Sequence, residues 1–96
     1  MADVILGDPL GRSITLHDRT WYGHILKRHS EMRGRRAQVE SSVRDADAVH
    51  FSSYDPDCRV CYRGTGTGGI MMAVVIDVVQ GLVRTGIPDH DHERTR

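Results

Sequence analysis

Cysteine is nearly missing from this chain. Cys58 and Cys61 are the whole supply, which excludes a scaffold stapled by disulfides. Their Cys-x-x-Cys spacing is half of a zinc site, and no second such pair exists to complete it. His50, or His90 and His92, would have to fold across the chain to do so. On a strand, residues three apart face opposite sides, so two reduced, unlinked thiols are expected. Long apolar runs are missing too. The longest, Ile70 to Ile76, is far too short to span a bilayer, so no membrane partner is expected. The chain does not open on a basic region followed by an apolar stretch. No signal peptide is therefore expected, and a cytoplasmic location follows by default. Net charge is absent as well: the formal value is +0, which removes the simplest argument for a nucleic-acid partner.

The distribution of charge restores that argument. Residues 1–18 hold one cation and three acids, residues 19–44 hold seven cations and two acids, and residues 45–96 hold five cations and eight acids. The middle block is basic, and local fields act on partners, so it is able to steer a phosphate backbone. A solvated helix face accounts for the same charges without any partner. With 96 residues, 39% hydrophobic and 27% charged, the chain is globular and long enough for one two-layer domain.

Along the chain, Val4-Ile5-Leu6 and Ser13-Ile14-Thr15-Leu16 flank a turn-rich Gly7-Asp8-Pro9-Leu10-Gly11 and read as a β-hairpin. Asp18 or Thr20 is placed to cap the helix that follows, expected over 19–31. Tyr22, Ile25, Leu26, His29 and Met32 recur at helical spacing as one apolar stripe bordered by Trp21. Gly34 is the expected end of that helix. A second helix over 35–45 has only Ala37, Val39 and Val43 as anchors and is expected on the surface. Apolar spacing then switches to alternation. Strands are expected over 48–54, 58–64, 70–79 and 82–87. The turns are Asp55-Pro56-Asp57, the glycine-rich 65–69 and Gln80-Gly81, and Pro88 closes the last strand. The expected fold is α+β: an N-terminal β-hairpin, two helices, then a four-stranded antiparallel meander with the helices on one face. Residues 1–89 form the domain, and the polar stretch 90–96 is expected to be a flexible tail.

The residues able to carry chemistry lie at two places. His24 and His29 sit on the first helix with Lys27 and Arg28 between them. Five residues in an α-helix turn the chain so that these histidines do not share a face. His29 lies on the apolar stripe, and His24 shares a face with Arg28. Both rings work together only if the helix ends near His29. The other reading is a packed His29 and a surface His24. Tyr62 and Arg63 alternate faces on one strand, and Thr85 sits late in the last. An arginine facing the helices is able to clamp a phosphate, and a threonine hydroxyl to donate to it. Taken singly, Arg63 and Thr85 are more simply read as ordinary exposed strand residues. The run Gly64-Thr65-Gly66-Thr67-Gly68-Gly69 resembles a phosphate cradle in composition alone, because a strand rather than a helix follows it.

Asp8-Pro9-Leu10-Gly11, Ile14-Thr15-Leu16 and Trp21-x-x-His24-Ile25-x-x-x-His29-x-Glu31-Met32 resemble the opening of small phage- and toxin-associated nuclease-like domains. These are grouped with the barnase, EndoU, colicin and RelE-type ribonucleases. Ser30 stands where their pattern has proline. Tyr62-Arg63, the run Met72 to Ile76, and Leu82-Val83-Arg84-Thr85 are similar to the family's last strands, with Gly86-Ile87 in place of an aromatic. The resemblance implies a metal-independent endoribonuclease that needs no cofactor. Its implied partners are RNA, with tRNA and mRNA as candidates, and a cognate antitoxin or immunity protein. It implies His24 and His29 as proton-transfer groups and Arg63 and Thr85 as phosphate contacts. Lys27, Arg28 and Tyr62 are the substrate contacts expected beside them. The chemistry is attack of the ribose 2′-hydroxyl on the adjacent phosphorus, with one imidazole as base and the other as acid. The alternative is a non-enzymatic interaction module of a phage or mobile-element protein with the same fold.

Overall fold

The computed structural model describes residues 3–65 and 70–89. Most of the glycine loop, at 66–69, and the tail at 90–96 lie outside the described residues. The chain opens with a hairpin of β1 (Val4–Gly7) and β2 (Ser13–Leu16). Its turn is built by Asp8, whose Oδ1 accepts the amides of Leu10 (3.1 Å) and Arg12 (2.7 Å) while Oδ2 takes Arg12 Nε at 2.6 Å. A buried carboxylate here substitutes for backbone partners that a tight turn leaves open.

The first helix, α1, spans 18–28 and is not a regular α-helix. Asp18–Thr20 is α-helical, Trp21–Ile25 is a π-turn, and Leu26–Arg28 returns to α. The Leu26 amide accordingly reaches back to the Trp21 carbonyl, five residues earlier. Its N-cap also departs from expectation. His17 occupies the cap position, and neither Asp18 nor Thr20 caps the helix. Asp3 does so from the start of the chain: its Oδ1 accepts the Asp18 amide at 2.8 Å, and Oδ2 lies 2.9 Å from His17 Nδ1. These bonds hold the Asp3 carboxyl below the usual aspartate range, with the Asp18 amide the largest cause.

A 3₁₀ turn, Ser30–Met32, follows α1, and Gly34 at φ 77 redirects the chain into α2, Arg36–Arg44. This second helix is not the surface helix expected. Val39 and Val43 are completely buried, and Ser42 and Arg36 are buried with them. Few apolar residues suffice because the helix lies close against the sheet. A Cβ on Gly86 would come within 3.5 Å of a Val39 methyl and 3.4 Å of a Val74 methyl. Arg36 reaches back to α1, giving Nη1 to Asp18 at 2.7 Å beneath the rim of the Trp21 ring.

Four strands follow: β3 (Ala48–Phe51), β4 (Cys58–Gly64), β5 (Met71–Asp77) and β6 (Leu82–Asp89). They pair consecutively and antiparallel. The sheet does not stop at four strands, however. Its order is β1-β2-β6-β5-β4-β3, and β2 joins β6 in parallel through Thr15 and Leu82. The N-terminal hairpin therefore extends the sheet, and the result is α+β with two helices and a six-stranded mixed sheet. The physical cause is the apolar face of the hairpin. Leu6, Ile14 and Leu16 enter one core with Met72, Val74, Ile76, Val83 and Cys61 of the meander and with Trp21, Ile25, Met32, Val39 and Val43.

Two further details differ from expectation. Pro88 does not stop β6 but pairs with Met72 inside it. Among the described residues no strand pairs with the outer side of β6 beyond Leu82, so a missing N–H is tolerated there. β3 ends at Phe51, short of the expected residue 54, and Val49, His50 and Phe51 on it are exposed. Among the described residues no helix is long and apolar enough to cross a membrane.

Candidate active site

Because β2 accompanies β6 only at its beginning, the chain that follows it is free to turn into α1, which packs along β6. Between the two lies a groove of about 290 Å³ lined by Thr20, His24, Leu82, Val83, Arg84 and Thr85. The π-turn places His24 in this wall, half-buried. Across from it the β5–β6 pairing slips by one residue. Val75 pairs with Thr85 but Ile76 pairs with Val83, leaving Arg84 as the extra residue of a bulge. A bulge re-aims side chains at the rim of a sheet, and here it sets Arg84 and Thr85 side by side at the groove.

Arg84 is held from behind. Its Nη2 donates to Asp77 Oδ2 at 3.0 Å, and Asp77 Oδ1 in turn accepts the amides of Gln80 (2.8 Å) and Val79 (3.0 Å). The Gln80 amide is the largest cause holding the Asp77 carboxyl below its ordinary range, ahead of the bond from Arg84. Arg84 remains half-exposed while Asp77 is buried, so part of the guanidinium is presented to the groove from a fixed anchor. The Thr85 hydroxyl oxygen is buried and finds no hydrogen-bond partner among the described residues.

The expected site residues are thus only partly assembled. His24 and Thr85 share the groove. His29 ends α1, with φ −133 and ψ 78, its amide still bonded to the Ile25 carbonyl at 2.8 Å. It is half-buried and does not line the groove. The helix does end where a second working imidazole requires. Lys27 and Arg28 are exposed on the last turn, Arg28 one turn beyond His24. Arg63 is elsewhere: its Nη1 donates to the Asp45 carbonyl at 2.6 Å and lies 3.9 Å from Asp47, tying β4 to the end of α2. Tyr62 turns to the other face of β4, its ring edge-on to His50 with centroids 5.3 Å apart. Arg84 is the functional candidate that the sequence reading passed over. Its only local signal is a cation next to Thr85, and the bulge that exposes it is invisible in strand alternation.

Cys58 and Cys61 are both buried free thiols. Burial pushes the Cys61 thiol up to about 11, helped by the Asp8 charge, and burial also raises Cys58. Such thiols are poor nucleophiles at neutral pH. No group of three or more metal-ligating side chains converges among the described residues. The fold and groove define an α+β domain with a histidine-bearing cleft between its first helix and the inner strand β6. No family model, curated protein or solved structure matches the chain.

Proposed function

We propose that this protein is a metal-independent endoribonuclease of the barnase, EndoU, colicin and RelE-type class, acting at the groove between α1 and β6. The observation that carries the reading is the meeting of His24 and Thr85, from opposite halves of the chain, in one groove beside Arg84. His24 is the proton-transfer group with direct access to bound substrate. His29, at the C-terminal end of the same helix and outside the groove lining, is the second imidazole that the reading requires. Arg84 takes the phosphate-stabilising role that the sequence suggested for Arg63, because Asp77 holds it in place and leaves it half-exposed. Preorganised cations beside a phosphate stabilise the charge that develops in the transition state. Lys27 and Arg28 supply the approach to the phosphate backbone. RNA is selected over DNA because the nucleophile is the 2′-hydroxyl. An antitoxin or immunity protein would act by covering this groove.

The test is incubation of the purified protein with total RNA in EDTA. Cleavage leaving a 2′,3′-cyclic phosphate, lost in His24→Ala, supports the reading. Cleavage that both His24→Ala and His29→Ala leave intact sinks the acid–base pair. The second reading, an interaction module without turnover, is favoured by one observation: Arg63 is engaged by α2 and Tyr62 lies on the other face, so the expected substrate contacts are dispersed. Binding of RNA or protein without cleavage would select it.

A further inference from the structure

Asp77, at the end of β5, does more than its turn requires. It is 1% exposed and closes the connection to β6 by accepting the amides of Val79 (3.0 Å) and Gln80 (2.8 Å). Both bonds fall on Oδ1, and one oxygen is all that such a turn asks of an aspartate. An asparagine would make the same turn, because its side-chain oxygen accepts in the same way. The second oxygen, Oδ2, is given to Arg84 Nη2 at 3.0 Å. The Arg84 side chain is 47% exposed, and an ion pair open to water adds little to stability. Its effect is on freedom instead. A long side chain bonded through Nη2 keeps its planar fork in one orientation, with the other N–H groups left for the groove. The bulge sets that fork beside Thr85, and His24 lines the same groove.

We propose, on the ribonuclease reading above, that Asp77 is a positioning residue for cleavage, holding the Arg84 guanidinium through Oδ2 where the reacting phosphate gathers charge. Asp77 touches no substrate and acts only through Arg84. Affinity is not what this arrangement serves. With a carboxylate 3.0 Å away, the pair brings little net charge to a polyanion. A carboxylate behind an arginine gives up attraction and fixes direction. Direction matters most in the transition state, where a small misplacement of a stabilising group slows the reaction greatly. The two effects separate when the Asp77 charge is removed. The groove becomes more positive and binds RNA at least as well, while the bound substrate reacts more slowly. Asp55 is the other acid whose charge reaches Arg84, and its Oδ1 is given to the Asp57 amide.

Asp77→Asn keeps an oxygen for the turn and removes the charge. Initial rates on a short RNA, beside circular dichroism, should show kcat reduced about tenfold or more with KM unchanged or lower. In an Arg84→Ala background the same change should reduce the rate no further, because the residue it acts through is gone. Nitrogen relaxation should show Arg84 Nε gaining motion in Asp77→Asn while the Val79 and Gln80 amides stay as ordered as in the parent. Asp55→Asn, which removes the other nearby charge, should leave kcat unchanged. Arg84→Lys leaves the Asp77 turn whole and reads the same requirement if Asp77→Asn does not fold. It keeps the charge, loses the fork and should lower kcat in like proportion. Full kcat in Asp77→Asn or Arg84→Lys overturns the proposal and leaves the ribonuclease reading standing. Additive losses in the double variant, or an equal fall in Asp55→Asn, do the same. A parent that cleaves no RNA overturns both.

Discussion

His24 and His29 show how two similar residues acquire different surroundings. His24 lies in the π-turn and faces a groove, whereas His29 has left helical geometry and stands outside that groove. His24→Ala should therefore reduce RNA cleavage by about a hundredfold or more with the fold retained. Thr85→Val should reduce it less, because the role proposed for its hydroxyl is a single hydrogen bond. Initial rates with a short RNA, beside circular dichroism, check both. The proposed acid–base pair needs one imidazole neutral and the other charged, so activity should trace a bell against pH. The two cysteines carry an opposite expectation. With Cys61 raised to about 11 by burial, and Cys58 also buried and raised, the native protein should resist a thiol reagent near neutrality and react only in denaturant. Rapid labelling of Cys61 in the native protein would contradict its place in the core.

At the scale of the element, the π-turn explains which helical residues are buried. A strict 3.6-residue repeat puts Tyr22 on the stripe with Ile25, Leu26 and Met32. The wider turn inserts a residue, so Trp21 lies under Ile25 and Leu26 and enters the core, while Tyr22 is turned out to 52% exposure. Ile25→Ala should accordingly cost on the order of 2–5 kcal/mol. Leu26→Ala should cost less, since Leu26 is only half-buried. Gly23, exposed in the same turn with open space where a Cβ would stand and no positive φ, is a helix-interior glycine without a steric reason. Gly23→Ala should stabilise by about 0.5–1 kcal/mol. Gly81 is the reverse. Its φ is 72, a Cβ there would lie 2.9 Å from the Ser13 carbonyl oxygen, and its own carbonyl accepts the Thr15 amide at 2.8 Å. Gly81→Ala should therefore destabilise by more than about 1 kcal/mol, because it strains the β5–β6 turn and loosens the junction with β2. Urea titrations distinguish the signs.

For the whole molecule, pH couples to stability through Asp77 and Asp3, both held below the ordinary aspartate range by backbone amides and by Arg84 or His17. The unfolded chain takes up these protons at higher pH than the folded one. Their contribution is thus complete above the ordinary aspartate value of about 3.9 and is lost as pH falls through the lower folded values. Acid titration of the melting temperature should fall below about pH 4, and Asp77→Asn should flatten part of that slope. An unchanged slope would mean that the Asp77 network contributes nothing to acid sensitivity.

Much of this architecture follows from local spacing. The turn residues at 7–11, the switch from helical to alternating periodicity near Ala48, and the short connections that allow only antiparallel neighbours place two helices and the β3-to-β6 meander. Spacing acts over a few residues and is silent beyond that range. The parallel contact between Thr15 and Leu82 joins segments with no shared local signal, so the hairpin's place in the sheet is set by the common burial of Leu6, Ile14 and Leu16. The groove has the same origin. Its walls exist because one helix widens by a residue, one strand bulges by a residue, and β2 ends early enough for α1 to lie against β6. Each event shifts side chains without changing the pattern of apolar residues. His24 and Thr85 are therefore recognisable as candidates from their chemistry, while their convergence, and the presence of Arg84 beside them, arises from the packing of distant segments.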